Sequence, residues 1–291
     1  SDLLWRYWGL RLPEDIIAPP ALRSTRPTPS FSPDFDQPFS LMPGLGQGWF
    51  GEPGLKAHRS GHDWTFQATD CAVERAGQGA TVTLTDAVAK IAVAVSLALD
   101  PDSDVLTLST ALTNLGDAPL DVQWLAAAVL PLPVHARTVR SFSGRHNTEF
   151  VPVEDALSRS QWRRENRRGL TSHDCVPGAV VQADGCAYGA QLAWSGNHCQ
   201  FIDWLDDGRW QWQLGEALMP GEVTLAPGER LTSPDVLATC AADANGVAQN
   251  FHAAIRARMD WPGGKMRPRP VHLNTWEGFY FDHDEAALKD L

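Results

Sequence analysis

The sequence predicts a mainly β protein: a large antiparallel β-sandwich, then a linker helix, then the first strand–helix of a (β/α)8 barrel. Three observations predict it. From Trp64 onward, apolar residues recur with period two. The alternating runs are short and punctuated by Gly, Pro and Asp. The period changes once, near residue 244, to that of a helix.

Taken in order, residues 13–44 come first. Pro19, Pro20, Pro27, Pro29, Pro33, Pro38 and Pro43 forbid a long helix or a central strand there. An extended wrapping segment with a few short edge strands is expected. In the next element Ile91, Val93, Val95, Leu97 and Leu99 share one strand face. Ala92, Ala94, Ser96 and Ala98 share the other, small enough to face another layer. The turn Pro101-Asp102-Ser103-Asp104 leads into a strand over 105–113, and Asn114-Leu115-Gly116-Asp117 into a third over 120–130. Three consecutive strands on short turns predict an antiparallel meander. Runs at 197–206 and 209–214 flank Asp207-Gly208, a strong hairpin signal, with Trp210, Trp212 and Leu214 on one face. Pro220-Gly221 and Pro227-Gly228 bracket one more short strand.

Then Val247, Phe251, Ile255 and Met259 recur every four residues, an apolar helix stripe that Pro262-Gly263-Gly264 ends. Arg267-Pro268-Arg269-Pro270 reads as a linker. Val271-His272-Leu273-Asn274-Thr275-Trp276 reads as a short strand, and Asp282 or Asp284 can cap a helix over 285–291. A strand followed by a helix after a β domain looks like the opening unit of a barrel. The domains expected are therefore 1–243, the sandwich; 244–270, helix and linker; and 271–291, the start of a barrel.

Composition narrows the function. The chain has 291 residues, 43% hydrophobic and 20% charged, enough for a large core. Its net charge of −11 repels phosphate backbones, so nucleic acid is not an expected partner. No run approaches the roughly 18 to 20 apolar residues of a membrane span, and Ser1-Asp2-Leu3-Leu4-Trp5 lacks a basic region leading into an apolar one. Cys71, Cys175, Cys186, Cys199 and Cys240 are odd in number and contain no CxxC spacing, which argues for reduced thiols in a cytoplasmic protein. Twelve tryptophans are many for this length, and Trp offers a flat apolar face for sugar C–H groups as well as for cores.

No complete catalytic constellation is present: no GxSxG elbow, P-loop, GxGxxG after a strand, or HExxH. His58 and His62 lie in a Gly-bearing loop, where helical i,i+4 ligand geometry is not expected, so no metal site is expected there. The carboxylate pairs Asp34/Asp36, Asp206/Asp207 and Asp282/Asp284 read as turn and cap residues rather than glycosidase pairs. Arg163, Arg164, Arg167 and Arg168 read as a salt-bridged interface loop.

The sharpest pattern is Asn274-Thr275-Trp276-Glu277-Gly278-Phe279-Tyr280-Phe281-Asp282. It resembles the Asn-x-Trp-Glu-Ala-x-Tyr-Phe-Asp-Phe motif of glycoside hydrolase family 36 α-galactosidases, with Gly278 for the Ala and His283 for the second Phe. Arg167-Arg168-Gly169-Leu170-Thr171-Ser172-His173 resembles the family's Arg-Gly-x-Thr-Ser-His, although Asp174-Cys175-Val176-Pro177-Gly178 follows where the family runs to Asn-Pro-Phe. Tyr7-Trp8-Gly9, Tyr188-Gly189, Trp194-Ser195-Gly196-Asn197, Leu225-Ala226-Pro227-Gly228-Glu229 and Ser233-Pro234-Asp235 are similar to further family motifs in the right order.

The resemblance implies an antiparallel β-supersandwich, a central (β/α)8 barrel and a C-terminal β domain, assembled as a homotetramer. It implies a retaining α-galactosidase acting on galactosyl oligosaccharides of the raffinose and melibiose type, without metal or organic cofactor. The family's nucleophile and acid/base are aspartates in barrel motifs expected beyond Leu291, so no residue of this chain is expected to be catalytic. Trp276 corresponds to the motif tryptophan at the end of the first barrel strand, where it can stack on galactose or plug the junction of barrel and sandwich. Gly46-Gln47-Gly48-Trp49-Phe50-Gly51-Glu52-Pro53 most nearly matches the family's Gly-x-x-Asp-Phe-Arg-x-Pro, a loop that reaches a neighbouring active site. Trp49 stands for the Asp and Gly51 for the Arg, leaving Trp49 and Phe50 as candidates for stacking on an aglycone sugar. A non-catalytic carbohydrate-binding or oligomerisation sandwich, an α-N-acetylgalactosaminidase and a galactosyl transferase stand as alternatives.

Overall fold

Short alternating runs pair with one another wherever a turn returns the chain, and among the described residues they build three antiparallel sheets. A computed structural model describes residues 4–13, 39–47, 51–171, 173–205 and 208–290. The strands in order are β1 (Leu55–His58), β2 (Asp70–Ala76), β3 (Gly79–Asp86), β4 (Ile91–Asp100), β5 (Val105–Asn114), β6 (Leu120–Leu125), β7 (Ala128–Leu132), β8 (Ala136–Ser143) and β9 (Val151–Ala156). They continue with β10 (Trp162–Asn166), β11 (Gly178–Ala183), β12 (Cys186–Leu192), β13 (His198–Trp204), β14 (Trp210–Glu216), β15 (Val223–Leu225), β16 (Arg230–Thr232) and β17 (Val236–Ala241). Three helices follow: α1 (Ala244–Arg258), α2 (Trp276–Phe279) and α3 (Glu285–Asp290).

The ten-stranded sheet runs β2-β3-β4-β5-β17-β12-β11-β8-β9, with β16 also on β5. Two smaller sheets, β1-β6-β15 and β10-β13-β14-β7, cover its inner face. Under the first half, Val82, Leu84, Ile91, Val93 and Leu112 pack with Leu55, Leu120, Val122 and Leu225. Under the second, Leu108, Val139, Val181 and Val236 pack with Leu130, Ile202, Trp212 and Leu214. Helix α1 closes the outer face through Val247, Phe251 and Ala254 against Val105, Ala187 and Leu237. A Cβ on Gly189 would stand 2.3 Å from Val247 Cγ1 and 2.9 Å from Phe251 Cε2, so this strand must present glycine beneath the helix.

Several expectations are corrected. The meander is β2 to β5, and β6 does not continue it. The outer edge of β5 is taken by β17 and β16, which return from more than a hundred residues later and displace the sequence neighbour. The run 120–130 is not one strand. It breaks at Ala126 and Ala127, where β6 leaves the three-stranded sheet and β7 enters the four-stranded one, because the two smaller sheets divide one core between them. Alternation on β4 holds for Ile91, Val93 and Val95, but Leu99 is exposed and the small face is only partly covered. Alternation tells which way a side chain points, not how far a covering layer extends.

On α1 the buried stripe is Val247, Phe251 and Ala254, while Ile255 is exposed and Met259 lies past the helix end. A four-residue step overshoots one 3.6-residue turn by about 40°, so three such steps rotate off the buried face. The wrapping segment expected within 13–44 falls largely outside the described residues, as do Asp34, Asp36, Asp206 and Asp207.

The chain divides into two compact units, Ser1–Ile255 and Arg256–Leu291. In the second, residues 271–275 form no strand, and they are largely exposed. A strand's N–H and C=O groups need a neighbouring strand to satisfy them, and among the described residues none pairs with this segment. The expected final helix is present as α3, where Asp284 Oδ1 accepts the Ala287 N–H at 2.9 Å.

Candidate functional site

The C-terminal motif folds locally. Asn274 Oδ1 accepts the Trp276 N–H at 3.0 Å, an Asx turn that starts the single turn of α2. The Tyr280 N–H donates to the Trp276 carbonyl at 2.9 Å, with Tyr280 in the left-handed region at φ 49°. That bend gathers three rings: Trp276 meets Tyr280 edge-on at 5.5 Å and Phe281 at 5.0 Å. Trp276 is 46% exposed and Phe281 85%. The motif tryptophan therefore opens a one-turn helix rather than ending a strand, and it offers an aromatic surface to solvent.

The other predicted site residues, Trp49 and Phe50, lie outside the described residues. The chain just after them is described, and it is held by side chains. The Glu52 N–H donates to Asp203 Oδ2 at 3.2 Å, and Gln213 Nε2 donates to the Glu52 carbonyl at 2.7 Å. Gln161 Nε2 donates to Asp203 Oδ1 at 2.8 Å. Gln213 also donates to Gln211 Oε1 at 2.5 Å and accepts the Trp124 indole N–H at 2.9 Å. Lys56 pairs with Glu52. Burial pushes the Asp203 carboxyl above the usual range, the neighbouring Glu52 charge adds to this, and hydrogen bonds from Gln161 and Glu52 and the charge of Lys56 oppose it.

This cluster was not legible in the sequence. Gln211 and Gln213 alternate with Trp210, Trp212 and Leu214, a pattern that reads as a polar face in water. In the structure β14 is buried on both faces, with Gln211 and Gln213 fully enclosed. The only sequence signal was the amides themselves, placed across the hairpin from Asp203.

Elsewhere the motifs act as ties. Asn166 Nδ2 donates to the carbonyls of Leu170 and His173 at 2.6 and 2.5 Å, and Asn197 Oδ1 accepts the Gly169 N–H at 3.1 Å. Glu229 Oε2 accepts the Ala226 N–H at 2.7 Å, and Ser233 Oγ accepts the Thr110 N–H at 3.0 Å. Trp8 stacks edge-on with Tyr188 at 5.0 Å. The arginines do form salt bridges, but Arg163 and Arg164 lie on β10 rather than in a loop. Arg163 and Arg167 share Glu165, Arg164 takes Asp155, and Arg168 takes Asp174. Burial raises the Glu165 carboxyl, but donation by Arg167 and Arg163 outweighs it and holds the group below the usual range. Burial pushes the Cys175 thiol up to about 11 and those of Cys199 and Cys240 to about 12, so none of the three is a thiolate at neutral pH. No helix of the described residues is long and apolar enough to cross a membrane.

An antiparallel sandwich this large, with one helix on its outer face, places residues up to Ile255 in the class of large β-sandwich domains. Residues 1–226 match the family model "Glycosyl hydrolase family 36 N-terminal domain", and residues 231–291 match "Melibiase". The chain belongs to glycoside hydrolase family 36. Among curated relatives, the alpha-galactosidase of Escherichia coli is 34% identical over the whole of this chain and 41% of its own length. Alpha-galactosidase Mel36A of Lactobacillus acidophilus is 28% identical over 83% of this chain and 33% of its own. The chain thus spans about two fifths or less of these relatives. Of solved structures, the Geobacillus stearothermophilus GH36 alpha-galactosidase AgaA in complex with stachyose superposes with a TM-score of 0.79 at 22% identity, over 99% of this chain and 46% of that one. The galactosidase domain of AgaSK gives 0.76 at 22%, over 99% and 44%. At that identity the structural likeness speaks for the fold alone.

Proposed function

We propose that this chain is the sandwich (1–243), helix and linker (244–270) and barrel entry (271–291) of a retaining α-galactosidase. The longer protein would remove terminal α-linked galactose from oligosaccharides of the raffinose and melibiose type. The observation that carries the reading is the 34% identity to the Escherichia coli alpha-galactosidase along the whole chain. Retaining hydrolysis needs two carboxyl groups about 5–5.5 Å apart, one as nucleophile and one as acid then base. In this reading both are aspartates of the remaining barrel, and no metal or organic cofactor takes part. This chain supplies binding surfaces: Trp276 as a wall for the apolar face of galactose, and Trp49 with Phe50 against the sugar beyond it. The protein works in the cytoplasm as a homo-oligomer, a tetramer by its family.

The test compares two polypeptides on an aryl α-galactoside and on raffinose. The longer protein should release galactose from both, and the 291-residue chain from neither. Turnover by the chain alone overturns the placement of the catalytic aspartates. A longer protein that cleaves α-N-acetylgalactosaminides and not α-galactosides overturns the substrate.

A further inference from the structure

Helix α1 does not fill the outer face of the ten-stranded sheet. Beside it lies a groove of about 580 Å³, a size that suits a small ligand. One wall is the helix, through Ala248 and His252, and the other is the sheet, through Phe142 and Gln191. Gly178, paired with Gln191 in the ladder, gives the floor backbone alone. A Cβ there would stand 2.7 Å from the Ala190 carbonyl oxygen and 3.0 Å from Gln191 Cγ. Phe150, in the loop between β8 and β9, completes the lining, and burial does not account for its conformation. Its φ is 59°, in the left-handed region that bulky residues avoid. Its ring is 63% exposed and meets Phe142 with 5.1 Å between centroids. Glycine would take this backbone without strain. A strained backbone that holds an aromatic face in solvent is what a binding platform requires.

The groups around that ring select the ligand. Gln191 and His252 are exposed on opposite walls, an amide and an imidazole that can donate to and accept from hydroxyls. Arg140 also lines the groove, but its charge is met by Glu154 at 2.8 Å. With that pair closed and the chain at −11, an anion has little to attract it. The ligand that fits is neutral, with a flat C–H face for the ring and hydroxyls at its edge, which describes a pyranose. We propose that this groove binds a neutral oligosaccharide, with Phe150 as the stacking platform and Gln191 and His252 as hydroxyl partners. That the sugar is a galactosyl oligosaccharide rests on the function proposed above.

The test is titration of the 291-residue chain with stachyose, followed by NMR. The Gln191 side-chain amide and the His252 ring signals should shift as the sugar is added. Phe150→Gly should weaken this binding about tenfold, and Gln191→Ala should weaken it severalfold. Because glycine accepts the backbone at 150, Phe150→Gly should also leave the melting temperature within about 3 °C of wild type. No shift at either residue up to the solubility limit of the sugar overturns the site. Binding unchanged in Phe150→Gly overturns the platform, and a large melting loss in that variant makes Phe150 a packing residue against Phe142. An apolar dye, anilinonaphthalene sulfonate, that shifts these signals where stachyose does not overturns the carbohydrate class. Maltotriose binding here in place of stachyose overturns the galactosyl occupant. A full-length protein that cleaves no α-galactoside defeats the function proposed above instead, and the titration still decides the groove.

Discussion

Trp276 and Asp203 sit in different surroundings, and the consequences of removing each differ accordingly. Trp276 is nearly half exposed and packs its ring edge-on with Tyr280 and Phe281 of its own segment. Removing it should therefore cost little of the roughly 3–5 kcal/mol typical of a buried Trp→Ala change. In the full-length protein Trp276→Ala should lower kcat/KM by one to a few orders of magnitude, or roughly 1.4–4 kcal/mol. Steady-state kinetics beside a melting curve checks this, and a large melting shift with near-normal kcat/KM would make Trp276 a packing residue. Asp203 is instead half-buried, and its carboxyl is raised by that burial. Its folded pKa exceeds its unfolded one, so the folded state holds the proton more tightly. Its contribution to stability is then greatest in acid and falls as pH rises through the folded value. The facing charges Glu52 and Lys56 stay in both proteins of the comparison, so the difference in melting temperature between wild type and Asp203→Asn isolates this slope. Wild type should lose ground to the variant as pH rises from the ordinary aspartate value to neutrality, and a flat difference would contradict it.

At the scale of elements, helix α1 sits on Gly189 because nothing larger fits beneath Val247 and Phe251. Gly189→Val should push the helix off the sheet, with an overpacking cost of about 1–3 kcal/mol. Denaturant titration measures the loss, and a stability equal to wild type would mean that the helix is not seated there. This same Tyr188-Gly189 pair was legible in the sequence as a family motif, but its reason was not, since the helix that requires the glycine begins more than fifty residues later. Likewise the hairpin turns and the helix were readable from local chemistry, whereas the division of 120–130 between two sheets was not. Period-two alternation is the same whichever sheet a strand joins.

Across the whole molecule, the two units differ in how much they bury. Nearly all core residues belong to Ser1–Ile255, and no side chain of α2 or α3 is buried. Local opening is easiest where few apolar contacts resist it. Brief proteolysis of the 291-residue chain should therefore cut within about 256–290 first and leave a stable fragment that keeps the sandwich. Initial cleavage within the described strands would reverse that order. In the longer protein the released galactose should first appear with retained configuration by NMR, as double displacement requires.

The sequence by itself determined the mainly antiparallel β class, the tight turns, the helix after residue 243 and membership of family 36, because turns, caps, periodicity and motif residues are local in the chain. Tertiary structure alone decided that β17 inserts between β5 and β12, that β6 and β7 part company, and that β14 is buried on both faces. It also decided that Asp203 and Gln213 converge on Glu52, and that residues 271–275 stay without a ladder. These outcomes depend on which groups meet across a hundred residues or more. A run becomes a strand, and a buried glutamine is satisfied, only when a partner remote in sequence arrives to take its hydrogen bonds.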